Sequence, residues 1–228
     1  MMVMTIALDG PAASGKSTVG EKLAEHLDFL FFDTGVMYRA ITLAAIEAGI
    51  SVEDEQACTL LAEQTKIDVQ PASNDDGRLN DILIEGKDKT WEIRTPKVDS
   101  HVSVVSAYPG VRRALTEKQR EIGKRGKVVM VGRDIGTVVM PDARLKIFLD
   151  ASVEERARRR FQERVDRGEE ADFQQVLALL LQRDEIDSNR DVAPLRPADD
   201  AVVVDSDVLS VQQVFDLILA LVADRGIR

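Results

Sequence analysis

Residues 10–17 read G-P-A-A-S-G-K-S and fit the pattern G-x-x-x-x-G-K-[ST]. A short apolar segment, 4–8, precedes the motif, and an amphipathic segment, 16–27, follows it, so the motif lies between a predicted strand and a predicted helix. Glycines at these positions let backbone N–H groups turn toward a phosphate, and the helix directs its positive end at the same point. The sequence therefore predicts an α/β fold with a phosphate-binding loop.

Within this loop, Lys16 is predicted to bridge the β- and γ-phosphates of a nucleotide, and the Ser17 hydroxyl to ligate Mg²⁺. Such loops occur in kinases, GTPases, motors and transporters, so the motif alone does not give the reaction. The chain lacks an N-K-x-D guanine motif, which disfavours a GTPase. The predicted ATP-binding residues are Gly10, Pro11, Ala12, Ala13, Ser14, Gly15, Lys16, Ser17 and Thr18.

Apolar runs alternate with amphipathic segments along the rest of the chain, which is typical of a mostly parallel sheet. We expect a P-loop NTPase fold, in which helices cover both faces of a five-stranded parallel sheet with a small α+β insertion at about 63–95. A capping-box pattern from Ser152 to Glu155 predicts a helix beginning near Val153. The predicted core strands are 4–8, 29–32, 128–131, 146–149 and 201–204, those of the insertion are 66–70 and 81–85, and further helices are 35–48, 172–188 and 211–222.

The chain carries 30 basic and 40 acidic residues, a formal net charge of −10. An acidic balance argues against nucleic acid as a partner. No apolar run approaches the length of a membrane span, and the N-terminus lacks the basic region of a signal peptide. The single cysteine, Cys58, excludes an internal disulfide. We therefore expect a cytoplasmic protein that binds neither membranes nor nucleic acid.

Charged motifs follow the predicted strands at the edge where ligands bind in α/β sheets. The segment 33–39 reads D-T-G-V-M-Y-R, and 132–137 reads G-R-D-I-G-T. On a later helix, Arg183, Asp187 and Arg190 are spaced i, i+4, i+7 and share one face. These residues either form salt bridges that only stabilise the helix, or they bind a second, anionic substrate.

Several sequence blocks, in this order, resemble the bacterial cytidylate kinases, a family of nucleoside monophosphate kinases. They are the phosphate loop, D-T-G-x-x-Y-R, E-I-R-T at 92–95, G-R-D-I-G-T, K-I-F-L-D-A-S at 146–152, R-D-x-x-D-x-x-R at 183–190, and V-A-P-L at 192–195. The resemblance covers essentially the whole chain. It implies transfer of a phosphoryl group from ATP to CMP, with dCMP also accepted and Mg²⁺ as cofactor. We expect the enzyme to be a monomer.

The resemblance also implies roles for individual residues. Arg39, Arg133 and Arg190 would hold the CMP phosphate, and Arg183 and Asp187 would contact the sugar. Ser103, Arg112 and Asp134 would read cytosine, whose N4 amino group suits a carboxylate or hydroxyl and whose N3 and O2 suit an arginine. Thr34 and Tyr38 would complete the CMP site. Catalysis would rest on Lys16, Arg39, Arg133, Arg190, Arg156 and Arg160.

The expected organisation is one kinase domain over 1–228. Its core comprises 1–33, 111–151 and 190–228, a monophosphate-binding region with the insertion comprises 34–110, and a mobile helical lid lies at about 152–171. Two alternatives stay open. The chain could be a related kinase with another acceptor, such as UMP, or an ATP-binding regulatory module without transfer chemistry.

Overall fold

The computed structural model describes residues 4–227 and contains two sheets and eight α-helices in that part of the chain. The strands are β1 (Thr5–Asp9), β2 (Leu30–Asp33), β3 (Ile67–Pro71), β4 (Asn80–Ile84), β5 (Lys87–Asp88), β6 (Val128–Gly132), β7 (Leu145–Asp150) and β8 (Val202–Asp205). The helices are α1 (Lys16–Leu27), α2 (Gly35–Glu47), α3 (Glu55–Gln64), α4 (Pro96–Ala107), α5 (Pro109–Gly123), α6 (Val153–Asp166), α7 (Phe173–Asn189) and α8 (Val211–Asp224). A 3₁₀ turn, Glu92–Arg94, precedes α4, and a π-helical turn, Ile135–Val139, follows β6.

The main sheet has five parallel strands in the order β2-β6-β1-β7-β8. Asp9 pairs in register with Gly132, and Asp33 pairs with Val131, so the carboxyl ends of three strands lie side by side. Loops that follow these strands therefore open onto the same edge, where ligands of α/β sheets bind. The prediction of a five-stranded parallel sheet is confirmed.

Both faces of this sheet are covered, and successive residues of β1 point to opposite sides. Ile6 and Leu8 are fully buried in a core that contains residues of α1 and α8. Ala7 is fully buried in a second core with residues of α2, α3, α4 and α5. Because its strands are buried on both faces, they appear in the sequence as continuous apolar runs and not as alternating apolar and polar residues.

The insertion forms a separate antiparallel sheet in the order β3-β4-β5. Two of its strands match the predicted ones, whereas β5 has two residues and no pattern that could reveal it. Arg78, in the loop before β4, has a side chain only 6% exposed and forms ion pairs with Asp76, Asp81 and Asp88. One guanidinium thus holds together the turn-rich loop and the two strands beside it.

The helical pair α6 and α7 follows β7 and starts as predicted. The Ser152 side chain accepts a hydrogen bond from the Glu155 N–H, 3.3 Å away. The reciprocal half of the capping box is replaced, because the Ser152 N–H donates to Asp207 Oδ1 at 2.7 Å. The start of α6 is therefore tied to the loop after β8. Between residues 4 and 227, no helix has the length and apolar character needed to span a membrane.

Candidate active site

The phosphate loop joins β1 to α1 and requires glycine at two positions. Gly10 has φ +149°, and a Cβ there would lie 2.1 Å from the carbonyl oxygen of Leu149 in β7. Gly15, with φ +92°, is the residue that precedes the first turn of α1. The first N–H groups of a helix have no partner within the helix, so the loop and α1 together present donors to an anion.

Lys16 is only 5% exposed and lies at the start of α1. Its Nζ donates hydrogen bonds to Pro11 O at 2.5 Å and to Ser14 Oγ at 3.3 Å, which hold the ammonium inside the loop. Burial, together with the positive charge of Arg133, lowers the pKa of Lys16 well below its usual range. An arriving phosphate would supply the negative charge that this buried cation lacks.

Asp9 ends β1 and connects the phosphate loop to the loop after β6. Its carboxylate accepts hydrogen bonds from the N–H groups of Ile135 at 2.8 Å and Gly136 at 2.7 Å. Burial raises the pKa of Asp9 to about 6, although both backbone hydrogen bonds act to lower it. One buried carboxylate therefore fixes the π-helical turn that directly follows Asp134.

Ser17 and Asp33 form a hydroxyl–carboxylate pair beside the loop. Ser17 Oγ donates to Asp33 Oδ2 at 3.3 Å, and the other carboxylate oxygen of Asp33 accepts from the Gly35 N–H at 2.9 Å. Mg²⁺ prefers oxygen ligands and is often held by one or two side chains plus substrate phosphates. These two side chains fit such an ion. Asp33 was not among the predicted metal ligands, although it opens the D-T-G block.

A second part of the site lies around Asp134, which is 5% exposed. Arg112 is also buried, and its Nη2 donates to Asp134 Oδ2 at 2.8 Å. The guanidinium carbon of Arg112 lies 5.4 Å from the centre of the Tyr38 ring, within cation–π range. Burial raises the pKa of Tyr38 to about 12, so its hydroxyl stays protonated. These three residues form one packed unit.

Asp187 on α7 contacts Arg183 and Arg190, which were predicted to share its helix face, and also Arg133 from the loop after β6. Arg133 Nε donates to Asp187 at 2.9 Å and Arg190 Nη1 donates at 3.1 Å, while Arg183 Nε lies 3.9 Å from the carboxylate. Burial alone would raise the pKa of Asp187, but these positive charges lower it below its usual range. Arg190 also lies 3.9 Å from Asp134, so the cluster continues into the Arg112 unit.

Arg39, on α2, makes its contacts toward α4 and the 3₁₀ turn. Its Nη1 donates to the Asp99 carboxylate and to the carbonyl oxygen of Ile93, the latter at 3.3 Å. Asp99 was not singled out in the sequence, because only the packing of α4 on α2 brings it to Arg39.

A single cleft of about 1240 Å³ connects the phosphate loop with the arginine cluster. It also contains residues not predicted from sequence, among them Leu79, Asn80 and Arg94 from the insertion and the stretch 206–211 after β8. Arg94 lies in the E-I-R-T block, to which the sequence assigned no role, whereas no local motif marks Leu79, Asn80 or the stretch 206–211. Predicted residues that line the cleft are Ala12, Ala13, Ser14, Gly15, Lys16, Ser17, Thr18, Thr34, Tyr38, Arg39, Arg112, Arg133, Asp134, Arg160, Arg183, Asp187 and Arg190.

Four predicted site residues within 4–227 lie outside this lining: Gly10, Pro11, Ser103 and Arg156. Ser103 is exposed on α4, whereas Ser106, one turn further on, lines the cleft and accepts a hydrogen bond from Arg112 through its carbonyl oxygen. Arg156 is 4% exposed and pairs with Asp184 on α7. It also donates to Ala12 O at 3.2 Å, so it joins α6 to the phosphate loop.

Comparisons with known proteins extend over nearly the whole chain. A model of the family described as cytidylate kinase matches residues 6–224. The cytidylate kinase of Roseiflexus castenholzii is 52% identical over 221 residues, which cover 96% of this chain and 94% of that protein. The cytidylate kinase of Bacillus pumilus is 48% identical over 216 residues, covering 95% and 94%. A crystal structure of an uncharacterized protein from Eubacterium ventriosum, 13% identical, covers 96% of this chain and 98% of that one with a TM-score of 0.53, a likeness of fold alone.

Proposed function

The chain belongs to the cytidylate kinase family, and we propose that it transfers the γ-phosphoryl group of ATP to CMP and to dCMP with the help of Mg²⁺. One observation supports this most directly. A single cleft contains a phosphate loop on one side and a cluster of arginines around the buried Arg112–Asp134 pair on the other. A donor triphosphate and an acceptor monophosphate could therefore meet inside one chain, which also supports action as a monomer.

The Arg112–Asp134 pair has the hydrogen-bonding groups that cytosine needs. A carboxylate accepts from the N4 amino group, and a guanidinium donates to N3 and O2. Uracil would present O4 to the carboxylate and leave it without a donor, which strongly disfavours the wrong base. We assign base recognition to Arg112 and Asp134, with Ser103 predicted to join them.

Charge neutralisation is the main task of the other site residues. Both substrates are anions, and the acceptor phosphate needs no general base because it already carries negative charge. Transfer then depends on alignment and on fixed cations around the γ-phosphoryl group. We assign this task to Lys16 on the donor side and to Arg39, Arg133 and Arg190 on the acceptor side. Mg²⁺, held through Ser17 and Asp33, would neutralise charge on the donor phosphates.

The segment of about 152–171, which contains α6, would act as the lid. Arg160 lines the cleft with a half-exposed side chain that pairs with Glu163, and its guanidinium would exchange this carboxylate for a substrate phosphate. Arg156 would hold the base of the lid against the phosphate loop through Asp184 and Ala12. Closure over both substrates would exclude water and suppress hydrolysis of ATP.

The test is a coupled assay of ADP release with CMP, dCMP, UMP and AMP as acceptors, with and without excess EDTA. We expect turnover with CMP and dCMP, far slower turnover with UMP and AMP, and loss of activity with EDTA. Preference for UMP would contradict the assignment of Arg112 and Asp134. Failure to turn over any acceptor would instead favour an ATP-binding module.

A further inference from the structure

Arg94 belongs to the E-I-R-T block, which has no role in the site described so far. It ends the 3₁₀ turn Glu92–Arg94, at the end of the insertion and just before α4, and lines the cleft with Arg39 and Arg133. Ile93, beside it, is fully buried and anchors the turn. The packing of Ile93 therefore fixes the backbone of Arg94 at the cleft, whereas Arg94 itself is exposed.

The charge of Arg94 is not balanced by a carboxylate. Within residues 4–227 its guanidinium makes no ion pair, and its carbon lies 5.9 Å from the centre of the exposed Trp91 ring. The arginines of the acceptor region differ in this respect. Arg39 pairs with Asp99, Arg112 with Asp134, and Arg133, Arg183 and Arg190 with Asp187.

The neighbourhood of Arg94 indicates what it would bind. The carbonyl oxygen of Ile93 accepts a hydrogen bond from Arg39, so the backbone next to Arg94 is joined to a predicted phosphate ligand. A cation that lines an anion-binding cleft and has no carboxylate partner is suited to a phosphate. We propose that Arg94 binds the phosphate of the acceptor nucleotide together with Arg39. This proposal rests on the proposed function.

The test compares the steady-state kinetics of Arg94→Ala, Arg94→Lys and Arg113→Ala with those of the unaltered enzyme. Arg113→Ala is the control. It removes the same positive charge, but Arg113 is exposed on α5 and does not line the cleft. Loss of a charge-assisted hydrogen bond at an exposed site should raise the KM for CMP about tenfold in Arg94→Ala. The KM for ATP should stay the same in Arg94→Ala. The KM for CMP in Arg94→Lys should lie between those of Arg94→Ala and the unaltered enzyme, and Arg113→Ala should have the kinetics of the unaltered enzyme.

Two further measurements separate a phosphate contact from other roles. The KM for CMP, dCMP and UMP should rise by the same factor, because the phosphate is common to all three. In calorimetry without ATP, Arg94→Ala should weaken binding of CMP but not of cytidine. The proposal is overturned if the KM for CMP stays within about twofold or if only CMP among the nucleotides is affected. An unaltered enzyme that does not phosphorylate CMP would overturn the proposed function instead.

Discussion

Lys16 places a buried ammonium group where the donor phosphates would lie. Its replacement should therefore slow the phosphoryl-transfer step. In Lys16→Ala the fixed charge is lost while the acceptor residues stay in place. We expect kcat to fall by about a hundredfold or more, a size typical of removing one group that stabilises transition-state charge. The KM for CMP should change little. Near-normal kcat in steady-state assays would contradict the assignment of residues 10–17 to the donor.

Asp134 should determine which base is accepted. Asp134→Asn keeps the shape of the side chain but adds an amino group that can donate to O4 of uracil. We expect the ratio of kcat/KM for CMP to that for UMP to fall by about tenfold or more. Asp142→Asn is the matched control, since Asp142 is exposed in the turn before β7. An unchanged ratio would show that Asp134 does not contact the base.

At the level of elements, Asp9 joins β1 to the π-helical turn, and its role should depend on pH. Its pKa in the folded protein, about 6, lies above the value of 3.8 expected for an unfolded chain. The folded state therefore binds this proton more tightly, so the stabilisation is present at low pH and is lost as pH rises through about 6. Relative to Asp9→Asn, the unaltered protein should gain unfolding free energy between pH 7 and pH 5.

This gain in unfolding free energy should be about 1 kcal/mol, because the pKa of Asp9 in the folded protein, about 6, lies about one unit above pH 5. Urea unfolding of both proteins at pH 7 and pH 5 measures it. A difference between the two proteins that does not change with pH would show that Asp9 does not titrate in this range.

The stability of the antiparallel sheet in the insertion should depend on Arg78. Its guanidinium pairs with Asp76, Asp81 and Asp88, and Arg78→Ala would leave these carboxylates to repel one another. We expect faster hydrogen exchange at the amides of β4, with exchange in the five-stranded sheet unchanged. Lys87→Ala, in an exposed position of β5, is the control. Equal protection of β4 in both variants would contradict a stabilising role for Arg78.

Local sequence was sufficient for the five strands of the main sheet and for the phosphate loop. The glycines and Lys16 identify the phosphate loop, because their chemistry depends on neighbours in the chain. The place of Asp99 and Arg94 in the cleft could not be found in the same way, although Arg94 belongs to the E-I-R-T block, since both reach the cleft only through the packing of α4 and the insertion. The placement of Ser103 and Ser106 depends on the rotation of α4, which a weakly amphipathic sequence does not determine.

At the level of the whole molecule, the substrates should stabilise the fold. A ligand that binds only the folded state at a hundred times its Kd adds about 2.7 kcal/mol to the unfolding free energy. We therefore expect CMP to raise the Tm, and UMP at the same concentration to raise it much less. Thermal unfolding followed by circular dichroism measures this. Equal shifts for both nucleotides would indicate binding through the phosphate alone.

The carboxylates that hold the cleft arginines also determine how an anion enters. Asp99, Asp134 and Asp187 already pair with Arg39, Arg112 and Arg133 in the absence of substrate. A nucleotide phosphate that binds these arginines must therefore compete with carboxylates that are tethered to the same chain, whereas at Arg94, among residues 4–227, it meets no such competitor. Isolated inorganic anions lack a base to add further contacts, so we expect them to compete poorly against such tethered groups. At these arginines, binding of a phosphate thus exchanges one anion for another, because the protein's own aspartates are already in place.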